Sequence, residues 1–149
     1  MDTSELAARV GVMKTLAQYG RFVDTGQAQR LAELFTDVTE YRMAPDVVAR
    51  SRAEIVPKVE SLKDLFATAA GFGRIRHHVT PAVIDVLETG RARAFSYFAA
   101  YAAAGVDHWG SYRDELVEID GDWLFASRIV TLEGAQSTSP VHSFLPRQV

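Results

Sequence analysis

The dipeptide Asp120-Gly121 constrains this chain more than any other feature. It separates two strand-like runs, over about 109–119 and 122–132, and Asp-Gly in that setting is the residue pair of a tight hairpin. Two more strand-like runs precede it, over about 74–86 and 91–103, with Glu88-Thr89-Gly90-Arg91 as the turn between them. A meander of long strands must have one face covered, and the first half of the chain supplies the cover. There, Leu6, Val10, Met13, Leu16, Ala17 and Val23 recur at three- and four-residue steps, which predicts a helix. Asp2, Thr3 and Ser4 offer N-caps, Glu5 is placed as a capping-box acid, and Asp24-Thr25-Gly26 is the stop. A short second helix is expected over 27–35, with Leu31, Leu34 and Phe35 as its apolar stripe. A strand follows over 39–43, broken by Pro45. A third helix is expected over 52–70, capped by Ser51, with Pro57 as a kink or as its true start. Helices first and strands afterwards give an α+β class: three N-terminal helices packed on a curved, mostly antiparallel sheet.

Composition removes several classes of function. The 149 residues fit one domain, and 48% hydrophobic with 23% charged residues is ordinary for a globular protein. The net charge of −3 carries none of the basic excess of a nucleic-acid binder, so no nucleic-acid partner is expected. No apolar run approaches the roughly 20 residues that cross a bilayer, so no membrane partner is expected. The first residues lack a basic region followed by an apolar one, and a cytoplasmic location is expected. Cysteine is absent, which excludes disulfides and thiolate chemistry. The domain is expected to span 1–135. The tail, 136–149, is expected to be irregular and to lie over a neighbour or over the mouth of a pocket.

The pair His77-His78 carries the strongest chemical signal. On an alternating strand Ile75, His77 and Val79 share one face, while Arg74, Arg76, His78 and Thr80 share the other. An imidazole aimed with two apolar side chains into an interior is either a satisfied core histidine or a proton-transfer group. Tyr19 and Tyr41 are phenol donors or plain core. Along 91–103, Phe95, Tyr97, Ala99 and Tyr101 fall on one side and Ala94, Ser96, Phe98 and Ala100 on the other; Phe95 and Tyr97 are read as pocket lining. His108 precedes the strand of Trp109, as an exposed loop residue or as a second acid at the pocket mouth. His78 and His142 are expected outside. Arg128 aligns with Leu124, Ala126 and Val130 and therefore needs a carboxylate, from Asp114, Asp24 or a substrate. Adjacent histidines on opposite faces cannot easily grip one ion, so no metal is expected. Gly71-Phe-Gly73 precedes a strand, not a helix, and is no phosphate loop.

In order along the chain, Tyr19-Gly-Arg-Phe-Val-Asp24, Leu34-Phe-Thr-Asp37, Arg76-His-His-Val79, His108-Trp-Gly-Ser-Tyr-Arg-Asp114 and Asp120-Gly-Asp-Trp123 resemble the SnoaL-like branch of the nuclear transport factor 2-like superfamily. The resemblance runs over about 5–132 and implies a cone-shaped α+β barrel with a deep pocket. In site pattern the chain is most similar to scytalone dehydratase and hexachlorocyclohexane dehydrochlorinase, cofactor-free lyases built on a histidine base and an aspartate. The resemblance maps the histidine onto His77, the aspartate onto Asp24 and, more loosely, a tyrosine onto Tyr19. It implies a dehydratase or dehydrohalogenase acting on a small hydrophobic ring substrate without a cofactor, with Tyr41, Phe95, Tyr97, His108 and Arg128 around that substrate. It also implies a homodimer or homotrimer. Polyketide cyclases and steroid dehydratases of the same fold are a second match. Ketosteroid isomerase matches less well, because its catalytic aspartate falls where this chain has Met43. A non-catalytic alternative is the small subunit of an aromatic-ring dioxygenase, which would have its cone filled by side chains.

Overall fold

The computed structural model describes residues 2–44, 47–68, 73–88 and 90–145. Helix α1 (Thr3–Thr25) starts where Asp2 accepts the Glu5 N–H at 2.8 Å, and stops at Gly26 in the left-handed region, φ 67°. Its buried face is Val12, Thr15, Tyr19 and Phe22, not the expected stripe: Leu6, Val10 and Met13 are exposed. The helix carries two interleaved apolar stripes. Gly11 decides between them, because the Trp123 indole packs where a side chain at position 11 would stand. Thr15 Oγ1 then donates to the Trp123 carbonyl at 2.6 Å.

A five-residue helix α2 (Ala28–Ala32) leads into β1 (Phe35–Ala44), which begins earlier than expected. Strand β2 (Val47–Ser51) pairs back on β1, and α3 (Arg52–Thr68) follows with Pro57 in its second turn. Pro45 and residues 69–70 lie outside the described residues, so the expected break and helix end cannot be placed there.

The run 74–86 is two strands, β3 (Arg76–Val79) and β4 (Val83–Glu88), not one. Pro81, with no N–H for a ladder, separates them. Beside the break, Thr80 grips Tyr97 in both directions: its N–H donates to the Tyr97 carbonyl at 3.0 Å, and its Oγ1 accepts the Tyr97 N–H at 3.1 Å. Three long strands complete the sheet: β5 (Arg91–Ala102), β6 (Gly105–Ile119) and β7 (Asp122–Ala135). Asp120 (φ 52°) and Gly121 (φ 85°) are both left-handed, as the β6–β7 hairpin requires.

The strand order is β2-β1-β7-β6-β5-β3, with β4 pairing β5 beside β3. Every pairing is antiparallel except β1 with β7. The helices pack on one face of this curled sheet, and the core between them is an aromatic cluster of Tyr19, Phe35, Tyr41, Tyr112 and Phe125. The tail is not wholly irregular: Pro140–Phe144 form a 3-10 turn capped by Ser139, and Val141 is buried. Among the described residues no helix is long and apolar enough to cross a membrane.

Candidate active site

A cavity of about 490 Å³ opens between the end of α1, helix α3 and the inner face of the sheet. Its wall is mainly apolar, with Val59, Leu62, Phe66, Phe98, Val130 and Leu132 among its members. Its polar side chains are Tyr19, Asp24, Thr25, Tyr41, His77, His108 and Tyr112, with the cations Lys63, Arg74 and Arg76.

Asp24 sits in the last turn of α1, where Gly26 ends the helix and turns the chain away. The His77 Nδ1 lies 2.7 Å from Asp24 Oδ1. The same carboxylate accepts the His77 backbone N–H, at 3.2 and 3.1 Å, so it fixes the strand as well as the ring. Only 11% of the His77 side chain and 12% of that of Asp24 reach solvent. An ionised carboxylate can only accept, so Nδ1 carries the hydrogen and the lone pair of the neutral ring is on Nε2. That is the arrangement of a base whose imidazolium, once formed, is stabilised by the carboxylate behind it.

Tyr19 and Tyr41 share a hydrogen bond, oxygen to oxygen at 2.7 Å. Burial raises the pKa of Tyr19 and raises that of Tyr41 well above the ordinary phenol value, so both stay protonated at neutral pH. Two phenols hold two protons and spend one on each other. The other is not used by that hydrogen bond.

His108 is neither exposed nor in a loop. It is 4% exposed, in β6, with Nδ1 2.8 Å from Asp107 Oδ2. Burial lowers its pKa; the hydrogen bond to Asp107 opposes that and the neighbouring His77 adds to it.

Three expected lining residues do not line the cavity. Phe95 and Tyr97 lie on the opposite face of β5, where Tyr97 is half exposed and meets Phe95 edge to face. The inward residues of that strand are Ala94, Ser96, Phe98 and Ala100, and of these Phe98 reaches the cavity. Both faces of β5 carry aromatic side chains, so aromatic content does not select the inward parity. Arg128 is fully buried behind the wall, with its guanidinium over the rings of Tyr19 at 3.8 Å and Tyr112 at 4.3 Å. Its carboxylate is Asp114. The alternation expected around His77 also holds only in part: Ile75 lines the cavity, but so do Arg74 and Arg76, and Val79 is exposed. Residues 74 and 75 precede β3 and follow no pleat. Asp107 was missed, although its signal was available: a carboxylate directly before a histidine at a strand start.

The SnoaL-like domain family matches residues 4–129. The chain belongs to that family. Among solved structures with the same SnoaL-like cone fold is a protein assigned as a scytalone dehydratase from Novosphingobium aromaticivorans, with TM-score 0.76, 22% identity and 91% of each chain covered. Another is a hexachlorocyclohexane dehydrochlorinase, with TM-score 0.75, 15% identity, and 91% of this chain and 92% of that one covered. A third is a protein of unknown function from Mycobacterium tuberculosis, with TM-score 0.67, 25% identity, and 86% and 73% covered. No curated protein matches the sequence significantly. The SnoaL-like family includes enzymes, and its fold alone does not select a reaction.

Proposed function

We propose that this SnoaL-like protein is a cofactor-independent lyase, of dehydratase or dehydrohalogenase type, acting on a small hydrophobic ring compound. The observation that carries the proposal is the His77–Asp24 couple, 2.7 Å between Nδ1 and Oδ1, in the wall of an open, mainly apolar cavity. His77 Nε2 takes the proton from an activated ring carbon. The C–H electron pair becomes the new C=C bond, and the bond to hydroxide or halide on the neighbouring carbon breaks with its electron pair. Asp24 stabilises the imidazolium, which returns its proton to the departing hydroxide or to solvent. The spare phenol proton of the Tyr19–Tyr41 pair supports an oxygen on which charge develops.

Two solved relatives in fold, one assigned as a scytalone dehydratase and one a hexachlorocyclohexane dehydrochlorinase, support the reading. The cavity speaks against the dioxygenase-subunit alternative, which expected a filled cone. The test is a panel of hydroxylated and halogenated ring compounds offered to the wild type and to His77→Gln. Turnover that requires His77, with an unchanged circular dichroism spectrum in the variant, supports the mechanism; a fully active His77→Gln excludes it. The proposal includes a homodimer or homotrimer, and light scattering of the purified chain decides between these and a monomer.

A further inference from the structure

The cavity opens where its lining residues reach solvent. The exposed ones are Thr25, Lys63, Ala67, Gly73, Arg74 and Arg76, at the end of α1, along α3 and around the start of β3. Half of that rim is cationic. Asp24 is the one carboxylate among the described lining residues, and it is committed to His77. The rim therefore sets three positive charges against one negative charge, on a chain whose net charge is −3. Two of the cations converge on the last turn of α1. Arg76 Nη1 donates to the Asp24 carbonyl at 3.2 Å and to the Ile75 carbonyl at 2.8 Å. That anchors the guanidinium beside the His77–Asp24 couple, because the side chain of the same aspartate holds the His77 ring. Lys63 reaches over from α3, with its Cε 3.4 Å from where a Cβ on Gly26 would stand. The last turn of α1 has no basic residue of its own, so these cations also face the negative end of its dipole. That role occupies only Nη1 of Arg76. Among the described residues Lys63 and Arg74 make no hydrogen bond and no ion pair.

We propose that this rim is an anion subsite: the ring substrate carries a carboxylate or phosphate group that meets Lys63, Arg74 and Arg76 at the mouth, while the ring lies on the apolar wall. The inference rests on the reading of the cavity as a substrate site and adds an ionised group to the hydrophobic ring. A guanidinium offers paired N–H groups to two oxygens of one anion, and an ammonium adds a compact point charge. A cleft mouth of one sign of charge above an apolar wall also draws such molecules in. Held at the rim, the anion fixes which end of the ring enters first, and so which carbon comes to His77. Lys63, Arg74 and Arg76 bind and orient; they take no part in the proton transfer.

The probes are 2-naphthoate, 2-naphthyl phosphate and the neutral 2-naphthamide, which share a ring system. By titration calorimetry at neutral pH and low salt, the wild type is expected to bind at least one of the anions about tenfold or more tighter than the amide. The anion with the larger preference identifies the group. The preference should shrink as sodium chloride rises, because the rim is open to solvent and its charges are screened. The double variant Lys63→Gln/Arg74→Gln should reduce the ratio severalfold, and adding Arg76→Gln should abolish it. Lys63 and Arg74 hold no other bond among the described residues, so the double variant still decides the matter if loss of Arg76 unfolds the chain. Arg113→Gln removes a cation that lies over Phe95, outside the cavity, and should leave the ratio unchanged. Equal affinity for anions and amide in the wild type, or binding of neither anion, overturns the inference. So does the same ratio in the wild type and the double variant, or an equal fall in Arg113→Gln. His77→Gln should keep the ratio while losing turnover, so failure of the lyase mechanism and failure of the anion subsite are read separately.

Discussion

Arg128 and Asp114 form a two-pronged ion pair inside the protein, Nε to Oδ1 at 2.7 Å and Nη2 to Oδ2 at 2.8 Å. They are direct cross-strand partners on β7 and β6. Burial works against the charge on Arg128, but the Asp114 carboxylate outweighs it and holds the guanidinium protonated. The plane of the guanidinium is covered by the rings of Tyr19, Tyr112 and Phe125, and its Nη1 is the buried side-chain nitrogen without a partner among the described residues. The pair therefore carries the floor on which the cavity tyrosines stand.

Removing one member should expose the cost of that arrangement. Arg128→Met leaves a carboxylate buried without its cation, and a loss of about 3–5 kcal/mol is expected in urea unfolding. Adding Asp114→Leu to the same chain should restore much of it, because the pair is then replaced by apolar packing. Equal stability of the single and the double variant would show that the pair is not coupled.

Asp24→Asn tests the carboxylate behind the base. An amide can donate to Nδ1 and so turn the lone pair away from the cavity. On the proposed lyase reaction, a fall in kcat of about 10²–10⁴ is expected for any ring compound found to be a substrate, with the fold retained. A loss of less than about threefold would remove Asp24 from the mechanism, given the usual size of such contributions.

Two glycine-to-alanine changes should act with opposite sign. At Gly110 a methyl group would overlap the backbone carbonyl oxygen of Thr131 and press on Phe98. A loss of about 1–3 kcal/mol or more is expected, since neither the strand nor the ring can yield freely. At Gly20, inside α1, a methyl group meets nothing within 4 Å. There the gain in helix propensity should stabilise by about 0.5–1 kcal/mol. Thermal melts of the two variants check the pair.

Stability should fall on mild acidification because of His108. Its pKa in the fold is lowered from 6.5, mainly by burial, so the unfolded chain binds the proton more readily. Stability is therefore full above about pH 6.5 and declines as pH drops through and below that value. The urea midpoint of the wild type should drop between pH 8 and pH 5.5, and His108→Gln should reduce the drop. The groups facing this ring are His77, Asp107, Phe66 and Phe98, and of these His77 adds to the lowering. An unchanged slope in the variant would assign the acid sensitivity to another group.

Local chemistry made much of the molecule legible. Asp2 and Gly26 bound the first helix and Asp120-Gly121 makes the hairpin, each through the backbone geometry of the residue itself. The break at Pro81 follows the same logic, but the reading of 74–86 as one strand passes over it. The family pattern placed His77 and Asp24 together across 53 positions, and the atoms meet at 2.7 Å. What could not be read was orientation. Leu6, Val10 and Met13 repeat as regularly as the residues that are buried, and Phe95 is as apolar as Phe98. Periodicity identifies an amphipathic element without saying which of two apolar faces finds a partner.

The sequence by itself determined the caps of α1 and the hairpin turn between β6 and β7, because caps and turns are properties of a few neighbouring atoms. Only the tertiary structure decided that Gly11 faces Trp123, that Arg128 is locked onto Asp114 behind the cavity, and that His77 and His108 meet across Ala100. Those are agreements between strands and helices distant in the chain, and they are set by which packing buries the most apolar surface while leaving the fewest polar groups unpaired.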